Sequence, residues 1–389
     1  MNIYHNVSDR AKKVEMRLRQ NSFASLLDFV NFVPKLLGFP LMKDKIFAPF
    51  WIMHLCLLLY VYVTGTLVYL INFAHSAGDF IKSYVNISLF IFVVNDSYWF
   101  LSNKQLLKAT LQEINLSDQL ATINPIFRKK HERLVLRIKL ILFLFYGFNM
   151  TNAFFIYVPH RINVQNNYAM TPCYGMEPIT SSPKKEICQT ILFFQEFNIV
   201  TIVLSYQSLL LFVIAHTTLL FQLLSDDIMT LNNYDKTAHF NNPLANELLP
   251  VLIRRHTILL GVINKLKALY SGPIGVDFAS DAVCISLFFY LPLQEWLQFM
   301  PLLTYCFLAF FLYCFLCQRL TNSAELFERS VYACGWENFG VKEKRAVFII
   351  LRQAQQPVEI LAANIIPVNI STFATTLQAM FKFVTVIKV

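Results

Sequence analysis

Seven long apolar runs, separated by polar segments, are the dominant pattern of the chain. Each run holds about 20 residues or more, the length that an α-helix needs to cross the hydrocarbon core of a membrane. The runs are Ile46–Phe73, Phe80–Ser102, Ile138–Val158, Cys188–Leu223, Ile274–Leu293, Phe299–Leu320 and Ile365–Ile387. They predict an all-α, polytopic membrane protein with seven transmembrane helices. The fourth run is too long for one simple crossing, so we expect its helix to continue into the cytosol.

Several of the polar segments carry apolar residues at helical spacing. We expect Arg128–Arg133 to extend the third helix and Leu248–Tyr270 to form an amphipathic helix that leads into the fifth span. Ser323–Cys334 and Lys342–Gln353 predict two further helices, separated by glycines. Val14–Leu37 is also amphipathic, and we expect it to lie at or in the membrane interface.

The composition excludes an ordinary soluble protein. Hydrophobic residues make up 56% of the 389 residues and charged residues 15%, against about 25% charged residues in a soluble domain. The polar segment Met1–Gln20 lacks the apolar core of a cleavable signal peptide, so the first span is expected to act as the insertion signal. The net charge of +9 comes from basic residues between the apolar runs, which favours membrane lipid over nucleic acid as the partner.

The placement of Lys and Arg predicts the orientation of the chain. Segments 1–45, 103–137, 225–270 and 318–364 hold 26 of the 33 basic residues, whereas the alternating segments hold five. Under the positive-inside rule, the basic segments face the cytosol. The N-terminus is therefore predicted to be cytoplasmic and, with seven spans, the C-terminus extracellular. This is the opposite of a G-protein-coupled receptor.

The sequence contains no pattern of an enzyme, a cofactor site or a metal site. It has no glycine-rich phosphate loop, no hydrolase elbow and no His-x-x-x-His pair, and its eight histidines are scattered. Cys314-x-x-Cys317 lies inside an apolar run, where thiols are ordinary packing residues. Cys173 and Cys188 share one predicted outer loop, and the sequence leaves open whether they pair as a disulfide.

Polar side chains inside the apolar runs indicate a ligand pocket, because such groups are costly in hydrocarbon and usually face the protein interior. Asn149 and Asn152 lie three residues apart, on one face of the third helix. The candidate ligand-binding residues are Tyr84, Phe148, Asn149, Asn152, Phe155, Phe194, Phe197 and Asn198. They predict a pocket in the outer half of the membrane for a small, weakly polar ligand. The alternative is hydrogen bonding between helices without a ligand.

The last span carries small polar residues among its Phe and Val residues. Phe381, Thr385 and Val389 recur at intervals of four and therefore share one helix face. Such a helix either contributes a wall of a water-filled pore or packs with its threonines bonded to backbone carbonyls. Asp277 and Asp281 form an i,i+4 pair on the fifth span, to which we assign no role.

Three stretches in the C-terminal part of the chain resemble insect odorant receptors. The first contains His256, Leu259, Asn264, Leu266, Tyr270, Ser271, Phe278, Ser280 and Cys284. The second contains Tyr313, Cys314, Leu320, Thr321, Ser323, Val331, Tyr332 and Trp336. The third contains Arg352, Gln355, Gln356, Pro357, Pro367, Thr372, Phe373, Leu377, Phe381, Phe383 and Thr385. They cover roughly residues 250–389 in the order of the family, whereas the N-terminal half matches only in the layout of its spans.

The resemblance implies an odorant-gated, non-selective cation channel of the plasma membrane of sensory dendrites. Its partners would be a small volatile ligand and the odorant co-receptor, in a hetero-oligomer that is expected to be a tetramer. The implied parts are an N-terminal cytoplasmic or interfacial segment (1–45), six spans with the pocket (46–320), cytoplasmic anchor helices (225–273 and 321–364) and a pore-lining helix (365–389). The pore residues would be Phe381, Thr385, Lys388 and Val389.

Two of these pore residues depart from what the family implies. Thr385 is not the large aliphatic residue expected at the constriction, and Lys388 adds a positive charge near the outer mouth. Four copies of that charge would repel cations, whereas one or two copies among co-receptor subunits would not. We therefore expect the chain to conduct poorly as a homotetramer.

Two other classes of seven-span receptor are alternatives. The predicted cytoplasmic N-terminus disfavours a G-protein-coupled receptor, as does the lack of an Asn-Pro-x-x-Tyr sequence in the last span. A gustatory-type receptor of the same superfamily usually carries Thr-Tyr-x-x-x-x-x-Gln-Phe in its final helix. That pattern does not occur in this sequence.

Overall fold

The computed structural model describes residues 22–42, 46–72, 74, 77–122, 125–162, 173–176, 182–233, 243–289 and 300–387, and these are almost entirely helical. The α-helices are α1 (Phe23–Val30), α2 (Phe32–Leu36), α3 (Ala48–Leu58), α4 (Thr66–Asn72), α5 (Ala77–Ser102), α6 (Lys104–Ala121), α7 (Pro125–Ile162), α8 (Lys184–Met229), α9 (Pro243–Phe288), α10 (Met300–Tyr332), α11 (Val341–Ala354) and α12 (Ile370–Ile387). A π-helical segment, Leu59–Gly65, joins α3 to α4, and 3-10 turns cover Thr230–Asn233 and Trp336–Asn338. Two short strands are β1 (Leu361–Ala362) and β2 (Ile366–Pro367).

Five of the described segments are long and apolar enough to cross a membrane. They are Ala48–Asn72, Gly78–Ser102, Arg128–Ile156, Lys184–Asn232 and Met300–Asn338. These segments coincide with the first four and the sixth predicted spans. The described part of the predicted fifth span falls on α9 and most of the seventh on α12, but neither is among these five segments.

The central helix of the fold is α8. Of its most apolar stretch, 89% is buried, whereas the other four candidate spans bury half of theirs or less. A helix that is apolar all round needs neighbours on every side, and α5, α7, α9 and α10 all pack against α8. Its large side chains Tyr206, Phe212 and Phe221 are fully buried. The prediction that this helix continues well beyond one crossing is confirmed by its 46 residues.

Two predicted helical extensions are confirmed, and one predicted helix is wrong as a separate element. Because α7 begins at Pro125 and α9 runs unbroken from Pro243 to Phe288, the third and fifth helices have the predicted extensions. The predicted helix Ser323–Cys334 is instead the continuation of α10, since no helix-breaking residue separates it from the span before it. The helix ends near Gly335, whose φ of +76° favours glycine.

The sequence patterns above miss α6. This helix buries Leu107, Leu111 and Ile114, which lie four and three residues apart and so form one apolar face. At the N-terminus, α1 likewise buries Phe23 and Leu26, in agreement with the amphipathic pattern predicted there. The part of that pattern before residue 22 lies outside the described residues.

The predicted start of the last helix, at Ile365, is wrong. Strands β1 and β2 form an antiparallel hairpin in which Ala362 pairs with Ile366, and α12 begins only at Ile370. Pro367 cannot donate a backbone hydrogen bond, and the Asn369 side chain caps the helix by accepting from the Thr372 amide at 2.8 Å. The helix is therefore preceded by a small β-turn unit rather than by further helix.

A disulfide joins Cys173 to Cys188. Both residues are buried in a cluster of apolar side chains that includes Leu58 and Leu192. The structure thus shows the disulfide that the sequence left open. The bond links Cys173 to the first turns of α8.

Candidate ligand cavity and pore helix

A cavity of about 70 Å³, partly open to the surroundings, lies between α5, α7, α8 and α10. Its lining includes Phe92 and Val93 of α5, Asn149, Asn152 and Ala153 of α7, Val200 and Val203 of α8, and Leu302 and Tyr305 of α10. A mainly apolar wall with a few polar groups is typical of small-molecule sites.

Three polar side chains give the cavity its hydrogen-bonding character. The Asn149 Nδ2 donates to the carbonyl oxygen of Phe145 at 2.8 Å, and the Asn149 Oδ1 has no partner among the described residues. The Asn152 Nδ2 donates to the Pro301 carbonyl oxygen at 2.8 Å. The Tyr305 hydroxyl accepts from the Gln207 side chain. The Asn149 Oδ1 is therefore a buried acceptor beside the cavity that has no partner among the described residues.

The structure brings only part of the predicted ligand-binding set to this cavity. Asn149 and Asn152 line it, whereas Asn198 is buried on α8 but is not among the lining residues. The five aromatic candidates instead lie on the outer surface of the helices, with exposed fractions between 43% and 57%. They are Tyr84, Phe148, Phe155, Phe194 and Phe197.

The reason is that an aromatic side chain on an apolar helix suits both lipid and a cavity wall. Spacing shows which residues share a face but not whether that face turns inward. The lining residues Phe92, Val93, Val200 and Val203 sit in uniformly apolar runs, so nothing in the sequence marks them. Tyr305 is the exception, since its hydroxyl is a polar group inside a span.

Two of the four pore candidates, Phe381 and Thr385, lie on the described part of α12, which has an open face. Phe381 is 55% exposed, and Thr385 is also exposed while its hydroxyl donates to the Lys382 carbonyl oxygen at 2.8 Å. Lys388 and Val389 lie outside the described residues. A role of this face in a pore stays a prediction.

Helix α10 joins the cavity to α12. Leu302 lines the cavity and belongs to the same apolar cluster as Met380 of α12. Further along α10, the Phe310 ring lies 5.1 Å from the Phe373 ring of α12, measured between ring centroids. A displacement of α10 at the cavity therefore acts on side chains of α12.

Buried carboxylates lie beside α8 within the spans. Asp96 of α5 lies close enough to Asp277 and Asp281 of α9 for their charges to interact. All three are buried. The Asn95 Nδ2 donates to Asp277 Oδ1 at 2.8 Å. Neither oxygen of Asp96 has a hydrogen-bond partner among the described residues, which makes this carboxylate costly to hold ionised in the membrane.

A second polar cluster joins α6, α7 and α8. The Nε2 atoms of His131 and His216 lie 2.6 Å and 2.9 Å from Asp118 Oδ1, and all three side chains are buried. Burial by itself raises the pKa of Asp118, but the hydrogen bonds and charge interactions with the two imidazoles hold it well below its usual range. The scattered positions of these residues gave no sign of the cluster, and Asp118 lies on the helix that the sequence patterns miss.

These features define an all-α, polytopic membrane protein with a mainly apolar cavity between four of its helices. The family model described as 7tm Odorant receptor matches residues 76–381, and the chain belongs to this family of receptors. This membership favours odorant receptors over the G-protein-coupled and gustatory alternatives.

Two relatives from Drosophila melanogaster agree with this assignment. Odorant receptor 22b is 21% identical over 141 residues, and Odorant receptor 22a is 25% identical over 142 residues. Each match covers 35% of this chain and only 36% of the relative, so about a third of each relative's length is compared.

Solved structures show the same fold over nearly the whole chain. The insect olfactory receptor OR5 from Machilis hrabei has a TM-score of 0.78 at 14% identity, covering 92% of this chain and 96% of that one. The same receptor in complex with eugenol gives a TM-score of 0.73 over the same shares of both chains. At this identity the likeness establishes the seven-helix membrane fold.

Proposed function

We propose that this chain is an odorant-gated, non-selective cation-channel subunit that binds a small volatile molecule in the cavity between α5, α7, α8 and α10. The observation that carries the proposal is that α10 forms part of the cavity wall at Leu302 and also packs on α12, through Phe310 and Phe373. The eugenol complex of the Machilis receptor supports a small organic ligand in this fold.

Gating follows from differential binding. An odorant shifts the population towards an open state only if it binds that state more tightly than the closed one. A ligand that contacts Tyr305 or Leu302 acts directly on α10, which transmits a displacement to α12. The exposed face of α12, with Phe381 and Thr385, would then line the ion path together with Lys388 and Val389.

The partner we propose is the odorant co-receptor, in a hetero-oligomer at the plasma membrane. Four copies of Lys388 around one pore would repel cations, and mixing with co-receptor subunits dilutes this charge. Cells that express this chain with the co-receptor should therefore show odorant-evoked cation currents, and cells that express it alone should show little current. Large currents from the chain alone would contradict this part of the proposal.

The cavity is tested by making it smaller. Ala153→Leu places three further carbons against the cavity space, whereas Phe155→Leu changes an exposed residue two positions along the same helix. We expect the first variant to raise the EC50 of an activating odorant by about tenfold or more, which corresponds to about 1.4 kcal/mol of lost binding. The second should respond as the parent does. Equal responses of both variants would place the ligand elsewhere.

The topology and the pore are tested separately from the ligand. An epitope tag at each terminus on intact cells should be accessible only at the C-terminus; the reverse would favour a G-protein-coupled arrangement. A Thr385→Cys variant, expressed with the co-receptor, should lose current on treatment with a charged thiol reagent. If neither resting nor stimulated cells react, α12 does not border a water-filled pore.

A further inference from the structure

Three helices that are distant in the sequence bring together a ligand set for a metal ion. Asp118 of α6, His131 of α7 and His216 of α8 each offer one ligand atom, and the three atoms lie within 4.8 Å of one another. All three side chains are buried. The cluster is remote from the cavity lining, and the proposed channel function makes no use of it.

The donor set suits a divalent ion of the zinc class. Two imidazole nitrogens and one carboxylate oxygen are usual zinc ligands, and three protein ligands leave a fourth position for water. Bonds of about 2.0–2.2 Å in a tetrahedron place ligand atoms about 3.4 Å apart. The contacts of 2.6 Å and 2.9 Å from Asp118 Oδ1 to His131 and His216 need to open by only about 0.5–0.8 Å.

The arrangement leaves one polar atom unexplained. His216 Nδ1 is buried and has no hydrogen-bond partner among the described residues. If each histidine only donated its Nε2 proton to Asp118, the neutral ring of His216 would bury an unpaired lone pair at Nδ1, which is unfavourable. With a metal at Nε2, the proton sits on Nδ1 instead, as in most metal-binding histidines, and this N–H would then need an acceptor such as a water.

We propose that Asp118, His131 and His216 form a binding site for a divalent transition-metal ion, with Zn²⁺ as the expected occupant. One carboxylate and two neutral imidazoles leave the bound ion with a single net positive charge. The ion would cross-link α6, α7 and α8, and α1 covers the site because the Phe23 ring lies 4.9 Å from the His216 ring.

The test is metal binding by the purified full-length chain in detergent, freed of metal with a chelator and without a histidine tag. Co²⁺ is the spectroscopic probe, because a tetrahedral site gives it strong visible absorption. We expect one Co²⁺ per chain, displaced by Zn²⁺. The absence of binding would mean that the cluster is only a hydrogen-bonded part of the core, and it would overturn the proposal.

Substitutions that preserve the hydrogen bonds separate the two interpretations. His216→Gln retains an N–H that can donate to Asp118 but removes the metal-binding lone pair, and Asp118→Asn retains an oxygen acceptor but removes the charge. Each should weaken Co²⁺ binding by more than the about 10–100-fold that loss of a supporting residue costs.

The matched control is His256→Gln, which alters another buried histidine that is not one of the three proposed ligands. This variant should bind Co²⁺ as the parent does. Co²⁺ binding that is unchanged in His216→Gln and Asp118→Asn would place the ion on other residues and would likewise overturn the proposal. Thermal unfolding of every variant without metal shows whether its fold is intact.

Discussion

Ala363 lies directly against Gly275: a Cβ atom built on Gly275 would approach the Ala363 Cβ and its backbone nitrogen to 2.8 Å. Gly275 belongs to α9, and Ala363 belongs to the turn of the hairpin that leads into α12. Ser271, one turn earlier on α9, binds the same turn, since its carbonyl oxygen accepts from the Ala363 amide at 2.7 Å. Its hydroxyl accepts from the Asn364 amide at 2.9 Å. The hairpin is therefore fixed to α9 where the chain enters the proposed pore helix.

Gly275→Ala should displace this hairpin. The added methyl group meets backbone and Cβ atoms rather than a flexible side chain, so we expect a loss of about 1–3 kcal/mol of stability. The matched control is Gly272→Ala, on the same helix, where nothing lies within 4 Å of the added atom. This control should be neutral or up to about 1 kcal/mol more stable, because alanine favours a helix. Thermal unfolding in detergent measures both, and equal midpoints would contradict the close contact.

The Asn149 side chain predicts which ligands the cavity prefers. Its Oδ1 is a buried acceptor without a partner among the described residues, so a ligand that carries a hydroxyl should bind better than its methyl ether. Asn149→Leu removes the acceptor. We expect it to reduce the ratio of the EC50 of the methyl ether to that of the hydroxyl ligand by about tenfold. Thr151→Val, an exposed residue of the same helix, is the control. A hydroxyl preference that survives in Asn149→Leu would show that another group binds it.

The disulfide should contribute measurably to stability. Cys173 and Cys188 are 15 residues apart, and closing a loop of that length restricts the unfolded chain by about 3 kcal/mol. Cys173→Ser combined with Cys188→Ser should therefore lower the thermal unfolding midpoint clearly. Cys56→Ser, at an exposed free cysteine, should change the free energy of unfolding by no more than about 0.5 kcal/mol. A double variant as stable as this control would show that the bond contributes nothing to the folded state.

The sequence predicts the large elements of this fold because they rest on local patterns. Apolar runs of sufficient length predict where the helices lie. Because α8 is apolar on all sides, it packs at the centre of the fold. The sequence does not predict which face turns inward, and so Phe155 and Phe194 were expected in the pocket while Phe92 and Val203 were not. Apolar and aromatic side chains suit both a lipid-facing surface and a cavity wall, so the residue type does not distinguish the two.

The sequence also does not predict the long-range polar contacts. Asp118, His131 and His216 meet only because α6, α7 and α8 pack together, and no spacing along the chain encodes that meeting. The hairpin before α12 was missed for a different reason. Its strands are two residues long and apolar, so the sequence does not distinguish them from the beginning of a span. Only the structure shows the cap at Asn369 and the hydrogen bonds to Ser271.

The His256 side chain should make the stability of the chain depend on pH. It is buried on α9 against the Phe327 ring, 4.7 Å away between centroids, and burial lowers its pKa from 6.5 to about 4. Between these values the unfolded chain binds a proton that the folded chain does not. Stability is therefore greatest above about pH 6.5 and falls as the pH drops towards 4, by about 2 kcal/mol at pH 5.

His256→Gln removes this titrating group, so comparing it with the parent isolates its contribution from that of other groups. Thermal unfolding at pH 7.5 and pH 5 should show a smaller loss of stability on acidification in the variant than in the parent, even if the variant is less stable at both pH values. The direction in which stability changes with pH distinguishes burial from pairing with an acid. A histidine stabilised by a carboxylate would have a raised pKa, and its stabilising effect would be lost as the pH rises. An identical loss in both proteins would mean that His256 is charged, and therefore hydrated or paired, in the folded state.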